Sequence, residues 1–306
     1  MKKTKVLLAS CGMLLTSLIW GFAFVVVKNS LDSLPPVYIL AFRFTIATLA
    51  LSAIFFKKLK NIKLSAIKKG IILGVFIYLG YLLQTIGCIY TTAGKNAFLT
   101  AVYVVAVPFL HWAINKTKTR MTHVTAAILA ITGIGLLSLQ NDFSVNIGDL
   151  LSLLCGLAFG LHIVFIERYT NSEDPVVLTI LQLGTAAVIS CITAPIIDGG
   201  FPAEAFRGDI IVSMLYLGLL STMAAFLLQN VGQKYVPPAA ASILLSTESV
   251  FGVAFSAIFL KEKLTFRMLA GCALILAAII LSEIDFLKLP NRFKPNFTYD
   301  VNNNDN

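Results

Sequence analysis

The sequence predicts an all-α polytopic membrane protein whose ten transmembrane helices form two inverted five-helix repeats. Composition, the spacing of apolar runs and one repeated phrase lead to this fold class. Of the 306 residues, 58% are hydrophobic and only 13% are charged, whereas a soluble domain carries about 25% charged residues. The apolar residues come in long runs, which is typical of helices that cross a membrane rather than of a soluble core.

Ten runs are long enough to cross a bilayer, which takes about 20 apolar residues in a helix. The predicted spans are 6–27, 36–56, 70–90, 95–115, 121–139, 147–167, 176–197, 209–231, 238–260 and 265–283. Charged or turn-forming segments separate them, in order 32–36, 57–69, 91–94, 116–120, 141–146, 172–175, 198–209, 237–238 and 261–263. Several of these connections are so short that the helices on either side must be antiparallel neighbours.

The positive charges orient the chain. If the N-terminus is cytoplasmic, 17 of the 24 Lys and Arg residues fall in cytoplasmic segments, six fall outside and Arg43 lies within the second span. This bias predicts a multi-pass protein of the cell membrane with both termini in the cytoplasm. The net charge of +9 is thereby explained by topology. Because no basic stripe is interleaved with stacking aromatic residues, nucleic acid is not an expected partner.

A repeated phrase defines the two halves. Residues 82–90, LLQTIGCIY, return as residues 227–235, LLQNVGQKY, after a shift of 145 positions. The phrase ends the third and the eighth span, so the repeating unit is five spans. Because five is odd, two tandem copies enter the membrane in opposite orientations, as in many secondary transporters that bind their substrate near the midplane. We therefore expect one repeat over 1–140, a second over 141–285, and a polar cytoplasmic tail over 286–306.

Two residues at one predicted depth point to a central site. Glu248 is the one carboxylate in the middle of any predicted span, and the same shift pairs it with Tyr103 in the fourth span. Polar groups inside a membrane are costly and usually face the bundle interior or a watery cavity. The carboxyl group can bind a cationic part of a substrate or carry a proton. A hydrogen-bonded carboxyl group with a purely structural role is the alternative.

The fourth span carries a stripe of polar-capable residues on one helix face, Asn96, Thr100, Tyr103, Val107 and His111. Their spacing of three or four residues predicts that they share a face. A cavity lining with Asn96 as a substrate contact explains the stripe, and hydrogen bonds between helices explain it equally.

Five further side chains complete the predicted site. Arg43 can hold a substrate carboxylate, or it can pair with a carboxylate of the protein or snorkel to the interface. His162 is the one histidine clearly inside a span, and packing is the alternative to ligand contact. Gln84 and Gln229, within the repeated phrase, face either a cavity or a neighbouring helix. Trp20 lies away from the interfaces where tryptophan is usual, so it predicts a cavity wall or gate, with plain packing as the alternative.

Motifs of enzymes are missing. The sequence has no GxSxG, P-loop, GxGxxG, HxxH or HExxH motif, and these patterns carry much of the known nucleophilic, nucleotide and metal chemistry. We therefore predict that the chain is not an enzyme and uses no cofactor and no catalytic metal.

Four segments resemble a known family. IWGFAFVVVK (19–28), AFRFTIATLAL (41–51), TTAGKNAFLTAVYVVAVPFL (91–110) and LLSTESVFGVAFSAIFLKEKLTFRMLAGCALIL (244–276) are similar to the EamA family of the drug/metabolite transporter superfamily. The resemblance implies a ten-helix bundle of two inverted repeats around a central cavity. It also implies export or exchange of amino acids, related metabolites or toxic compounds, often coupled to protons.

Two departures from the family pattern affect these expectations. The family commonly has Glu-Pro in the ninth span, but Ser249 follows Glu248 here, so the expected proline kink is missing. The short acidic motif after the second-half repeat survives as Glu262. Its first-half counterpart is absent from NKTKTRMT (115–122), so the two hairpin ends are not equivalent.

From these observations we expect a secondary transporter that exports or exchanges a small metabolite such as an amino acid by alternating access. The expected partners are a small-molecule substrate and the lipid bilayer, with protons as a candidate coupling ion. Two alternatives stay open. An uncoupled facilitator predicts a flux that ignores a proton gradient, and a membrane sensor or assembly protein predicts ligand or partner binding without any flux.

Overall fold

The computed structural model describes residues 2–60, 62–116, 121–138, 146–236 and 238–288, and within these ranges the chain is helical without a strand. The α-helices are α1 (Lys2–Ser30), α2 (Pro36–Ile54), α3 (Leu64–Tyr90), α4 (Ala93–Thr100), α5 (Tyr103–Asn115), α6 (Met121–Ser138), α7 (Ile147–Thr170), α8 (Pro175–Ile197), α9 (Gly208–Leu215), α10 (Ala225–Gln233), α11 (Pro238–Ser246), α12 (Glu248–Phe259) and α13 (Phe266–Lys288). A π-helical segment, Tyr216–Ala224, joins α9 to α10. Most of the predicted tail, from residue 289 onward, lies outside the described residues.

The helices make the chain a polytopic membrane protein. Within the described ranges, seven helical stretches are long and apolar enough to cross a membrane, namely Thr4–Ser30, Pro36–Ile54, Leu64–Tyr90, Ala93–Ile114, Ile147–Thr170, Pro175–Ile197 and Gly208–Gln233. Shorter apolar helical stretches lie at Val124–Leu136, Leu244–Phe259 and Phe266–Ala278. These stretches fall on the predicted spans, and the count of ten crossings stays a prediction.

Side chains near the helix ends fix where several helices begin. Pro36 occupies the first turn of α2, where its missing N–H costs no hydrogen bond. Asn146 Oδ1 accepts from the backbone N–H of Gly148 at 2.7 Å, and Asp174 Oδ1 accepts from that of Val176 at 2.8 Å. These are N-caps of α7 and α8, and they satisfy donors that the first helical turn leaves free.

Two spans that the sequence predicts as continuous helices are interrupted at equivalent places. In the fourth span, α4 ends at Thr100 and α5 begins at Tyr103; in the ninth, α11 ends at Ser246 and α12 begins at Glu248. The shift of 145 residues carries Tyr103 onto Glu248. Each of the two residues is therefore the first residue of a helix in the interior of the bundle.

The second interruption forms without the proline that the family pattern expects. Thr247 Oγ1 donates to the Leu244 carbonyl at 2.6 Å, and Ser249 Oγ donates to the Ser246 carbonyl at 2.8 Å. Ser17 of α1 places its Oγ 2.7 Å from the same Leu244 oxygen. Hydroxyl groups thus take carbonyls that the end of α11 leaves without helical partners.

Helices from the two sequence halves pack mainly against each other. Helix α1 packs against α10 and α12, α2 against α8, α3 against α7 and α8, α4 against α7 and α12, and α6 against α13. Gly156 permits the contact between α7 and the end of α4, because a Cβ atom there would lie 2.8 Å from the Thr100 carbonyl oxygen. The interruptions in both halves are thereby brought to the centre of the bundle.

Candidate functional site

A cavity lies at the level of the two helix interruptions. Its free volume is below the range of typical small-molecule sites, about 300–1,000 Å³. The space is narrow, since water-sized molecules can place their centres in only about 40 Å³ of it. Its lining is formed by Trp20, Ala23, Phe24, Val27, Arg43, Tyr81, Gln84, Cys88, Tyr103, Phe159, His162, Ile163, Ser221, Phe226, Gln229, Leu245 and Glu248.

Arg43 projects from α2 into the cavity wall and is 1% exposed. Its Nε donates to Thr222 Oγ1 at 2.9 Å and its Nη2 donates to Ser221 Oγ at 3.0 Å. The guanidinium carbon lies 4.2 Å from the centroid of the Tyr81 ring, which is a cation–π contact. Among the described residues no carboxylate forms an ion pair with Arg43. Its charge is therefore oriented by neutral groups and can serve an anionic ligand.

Glu248 begins α12 and is 4% exposed. Its carboxyl group lies close enough to the Tyr103 hydroxyl to interact with it. That hydroxyl nevertheless makes no hydrogen bond of normal geometry within the described part of the chain. In the same ranges no Lys, Arg or His side chain forms an ion pair with Glu248. A buried carboxyl group without an ion pair can accept a cationic group or a proton.

His162 contributes both to the cavity lining and to packing. Its Nε2 lies 3.0 Å from Gln182 Oε1, and its ring meets Phe226 edge to face with the centroids 5.9 Å apart. The contact with Gln182 occupies one ring nitrogen and fixes the orientation of the ring.

The predicted amide side chains have different positions. Gln84 lines the cavity and its Nε2 donates to Thr100 Oγ1 at 3.2 Å. Asn96 lies outside the lining; its Nδ2 donates to the Gln84 carbonyl at 2.9 Å and thereby ties α4 to α3. Gln229 lines the cavity, its Nε2 donates to Gln233 Oε1 at 3.1 Å, and its own Oε1 has no partner among the described residues.

The predicted stripe of the fourth span is divided by the helix interruption. Of its members only Tyr103 lines the cavity. Val107 packs in an apolar cluster, and the Nε2 atom of His111 lies 3.3 Å from an oxygen of Glu167. The regular spacing led to one continuous face in the prediction, because an interruption inside an apolar run leaves no composition signal.

Aromatic side chains form much of the apolar wall. Trp20 Nε1 donates to the Ser221 carbonyl at 2.8 Å, and its ring centroid lies 5.3 Å from that of Phe226. Phe159 and Tyr81 face each other edge to face at 5.2 Å. These rings give the cavity a surface that can bury an apolar group.

Four further residues line the cavity although no sequence pattern predicted them, namely Tyr81, Phe159, Ser221 and Phe226. Within apolar runs, aromatic residues of a cavity and of a core look the same. One signal was available for two of them: Tyr81 and Phe226 directly precede the two copies of the repeated phrase and are related by the same shift of 145 residues. The repeat therefore adds lining residues that polarity alone does not predict.

Charged side chains hold backbone groups at the end of the cavity near Cys88. Lys28 Nζ donates to the carbonyls of Cys88 and Thr91 at 2.6 and 2.9 Å. The Glu262 carboxylate accepts from the first two backbone N–H groups of α4 at 2.8 and 3.1 Å. These contacts join α1, α3, α4 and the segment after α12 at what the sequence predicts to be the outer end.

A basic and an acidic side chain, Arg43 and Glu248, line the same cavity. Arg43 can donate hydrogen bonds to a carboxylate, Glu248 can accept them from an ammonium group, and the aromatic wall can bury an apolar part. In the described ranges, no three His, Cys, Asp or Glu side chains lie close enough together to bind a metal ion.

Comparisons with known proteins agree on the kind of protein. The profile of the EamA-like transporter family matches residues 7–139 and 146–284. A protein of Archaeoglobus fulgidus named as an uncharacterized transporter is 36% identical over 92% of this chain and 87% of its own length. A Salmonella typhimurium protein named as a probable amino-acid metabolite efflux pump is 25% identical over 89% of this chain and 94% of its own.

The fold also occurs among solved structures. A crystal structure described only as that of a protein matches with a TM-score of 0.68 at 16% identity. The match covers 92% of this chain and 98% of that one.

Proposed function

Because the chain belongs to the EamA-like transporter family, we propose that it is a secondary transporter which exports or exchanges a small zwitterionic metabolite such as an amino acid. The proposal rests on one observation. Arg43 and Glu248 line the same cavity, both are buried, and they form no ion pair with each other. A substrate carboxylate binds at Arg43 and a substrate ammonium group binds at Glu248. The aromatic wall takes the rest of the molecule.

The polar groups without partners support a bound solute. The Tyr103 hydroxyl and Gln229 Oε1 are buried in the lining and have no hydrogen bond in the described part of the chain. A buried polar atom without a partner costs about 1–3 kcal/mol. A polar substrate offsets that cost by supplying the missing hydrogen bond, and water can supply it when no substrate is bound. The empty and the loaded cavity therefore differ in free energy.

We propose that the mechanism is alternating access between two inverted five-helix repeats that cross the membrane ten times in total. The repeated phrase and the equivalent helix interruptions support this architecture. The helix packing supports it too, because exchanging the halves maps the pair α1 and α10 onto the pair α7 and α3, and maps α2 with α8 onto itself. The proposed orientation, with both termini in the cytoplasm, follows from the charge bias of the sequence.

Glu248 is the proposed coupling group. A carboxyl group that binds the substrate ammonium in one state and a proton in the other links the two movements. Arg43 keeps its charge in both states, so its contact remains available to the substrate carboxylate whenever a substrate enters the cavity.

The experiment is flux through purified protein in liposomes. Export or resistance phenotypes of overproducing cells first reduce the number of candidate substrates. The flux of radiolabelled zwitterions is then measured with and without an imposed proton gradient. Glu248→Gln keeps the size of the side chain and removes its charge, so we expect the response to the gradient to disappear. Glu204→Gln, at an exposed residue of a connecting segment, is the matched control.

Each outcome assigns the chain to one class. Flux of Glu248→Gln that equals that of the unsubstituted chain across pH 5–8 would falsify the coupling role. Flux that ignores the gradient in the unsubstituted chain identifies a facilitator. The complete absence of flux for zwitterions and for other metabolites overturns the transporter proposal and favours a sensor or assembly protein.

A further inference from the structure

A band of buried polar side chains leads away from the cavity between α7, α8 and α10. We call it the polar band, and it consists of His162, Thr179, Gln182, Gln229, Asn230 and Gln233. Each of the six is at most 4% exposed. His162 and Gln229 line the cavity, and Gln233 ends α10, directly before the exposed residues Lys234 and Tyr235. The band therefore begins at the candidate site and ends where the chain leaves the helix.

Direct hydrogen bonds connect the members of the band in pairs. His162 Nε2 lies 3.0 Å from Gln182 Oε1, Asn230 Nδ2 donates to Thr179 Oγ1 at 2.8 Å, and Gln229 Nε2 donates to Gln233 Oε1 at 3.1 Å. Residues 179 and 182 are one turn apart on α8, and residues 229, 230 and 233 fall within one turn of α10. The pairs therefore form one continuous strip of polar groups.

These pairs leave much of the hydrogen-bonding capacity unused. In the described part of the chain, Gln182 Nε2, Gln229 Oε1, Asn230 Oδ1 and Gln233 Nε2 are buried without a partner. Turning an amide by 180° does not repair the shortfall, because each amide has one donor end and one acceptor end and only one end is used. Four unpartnered amide atoms in one strip are costly inside a membrane.

Water is the partner that fits this arrangement. A buried water molecule typically makes about three hydrogen bonds to polar groups that are otherwise unsatisfied. The strip offers two unpartnered donor atoms and two unpartnered acceptor atoms, so several water molecules can bind to it and to each other. A purely apolar packing role does not require polar groups at these positions.

The band is not repeated at the equivalent described positions of the first half. The shift of 145 residues carries Gln229, Asn230 and Gln233 onto Gln84, Thr85 and Cys88. Two of the three amides are thus replaced by smaller groups, and Cys88 packs in an apolar cluster. If the halves are inverted repeats, the polar route leads to one face of the membrane only.

We propose that the polar band binds a chain of water molecules that joins the cavity to the Gln233 end of α10. The route gives the cavity a hydrated connection to one membrane face, which the sequence predicts to be the cytoplasmic one. Its use in transport rests on the proposed function, whereas the hydration itself does not.

The test measures water access to a thiol in the band. Thr179→Cys places a thiol in the position of the Thr179 hydroxyl, and Leu178→Cys places a thiol at the same depth of α8 in an apolar cluster. After transfer of reconstituted protein into deuterated water, infrared spectroscopy follows the loss of the S–H stretch, with the spectrum of the native cysteines subtracted. We expect exchange at position 179 to be at least tenfold faster than at position 178, and equal slow rates at both positions overturn the proposal.

A second measurement covers the case in which Thr179→Cys does not fold, as judged by its elution in gel filtration. Solid-state NMR of the unsubstituted chain in lipid detects polarisation passed from water to side-chain amides, and the Asn230 signal is identified by its loss in Asn230→Leu. Strong transfer to Asn230 supports the hydrated band, and transfer no greater than to buried backbone amides overturns it. Flux is measured separately, so hydration without flux contradicts only the proposed function.

Discussion

Arg43 makes a set of contacts that only an arginine can make. Its planar guanidinium group donates from Nε and Nη2 to two hydroxyl groups of the π-helical segment while its face lies on the Tyr81 ring. A lysine ammonium group is compact and cannot combine these donors with ring stacking. The substitution Arg43→Lys therefore keeps the charge and removes the geometry.

We expect Arg43→Lys to weaken substrate binding in the cavity at least about tenfold, because hydrogen bonds to charged groups contribute about 1.5–3 kcal/mol. Equilibrium binding of a radiolabelled zwitterion to the purified protein measures the loss. Arg207→Lys, in an exposed connection, is the matched control. Unchanged affinity of Arg43→Lys, with a normal gel-filtration profile, shows that Arg43 has a structural role only.

Residue type alone predicts part of the candidate site. Polar groups inside a membrane are costly and usually face a cavity or the bundle interior. Polarity inside an apolar run predicted Arg43, Glu248 and Gln229, and all three line the cavity. It could not separate Asn96, which holds a carbonyl of α3, from residues that face the cavity. A polar side chain that bonds to the backbone and one that is available to a ligand can be of the same residue type. Only their neighbours in the structure distinguish them.

At the scale of the helices, long apolar runs determined the positions of the spans and could not reveal their interruptions. The fourth and ninth predicted spans each consist of two helices, and the eighth contains the π-helical segment. At the end of α11, one contact comes from another helix, since the Ser17 hydroxyl of α1 lies against the Leu244 carbonyl. A local pattern carries no record of partners that are distant in sequence.

The Ser17 hydroxyl is one of the groups that contact the carbonyls at the end of α11. It lies 2.7 Å from the Leu244 carbonyl oxygen and comes from a different helix. We expect Ser17→Ala to lower the free energy of unfolding by about 0.6 kcal/mol, the mean for hydrogen bonds between membrane helices, as measured by unfolding in detergent. Ser213→Ala is the control, because the Ser213 hydroxyl bonds only to the Asp209 carbonyl within its own exposed turn. An equal effect of the two substitutions contradicts a special role for Ser17.

Side chains of α3 bind the connection between α7 and α8. Lys69 Nζ donates to Glu173 Oε1 at 2.6 Å and Ser65 Oγ donates to the same oxygen at 2.9 Å. The hydrogen bond from Lys69 lowers the pKa of the Glu173 carboxyl group. A carboxyl group with a lowered folded-state pKa stabilises the fold above its unfolded pKa, and the stabilisation is lost as the pH falls through the folded value.

We therefore expect Glu173→Gln to lower the thermal midpoint by a constant amount from pH 8 to pH 5. The difference from the unsubstituted chain should shrink below about pH 4, since an unfolded glutamate titrates near 4.3. Thermal unfolding at a series of pH values measures it, with Glu204→Gln as the exposed control. A difference that stays constant down to pH 3 contradicts the assigned role of the charge.

At the scale of the whole molecule, the resemblance to the EamA family, stated on four segments, is confirmed by the family match over both halves of the chain. The sequence predicts a membrane protein because its composition is too apolar for a soluble domain. The pairing of the halves in space, in contrast, depends on which helix faces meet, as where Gly156 lets α7 approach the Thr100 carbonyl. Neither apolar runs nor charge bias determines such contacts.

Alternating access requires that contacts at one end of the cavity break while those at the other form. At the end near Cys88, the Glu262 carboxylate accepts hydrogen bonds from the first two backbone N–H groups of α4. It thereby joins the segment after α12 to α4 at that end.

We expect Glu262→Ala to shift the population toward a state in which the cavity is open at the end near Cys88. The native thiol of Cys88, which lines the cavity and is 1% exposed, should then react with a membrane-impermeant thiol reagent at least threefold faster. Peptide mass spectrometry separates its labelling from that of the exposed Cys11 and Cys191. The control Glu204→Ala removes an exposed carboxylate, and labelling of Cys88 that is the same in both variants contradicts a closing role for Glu262.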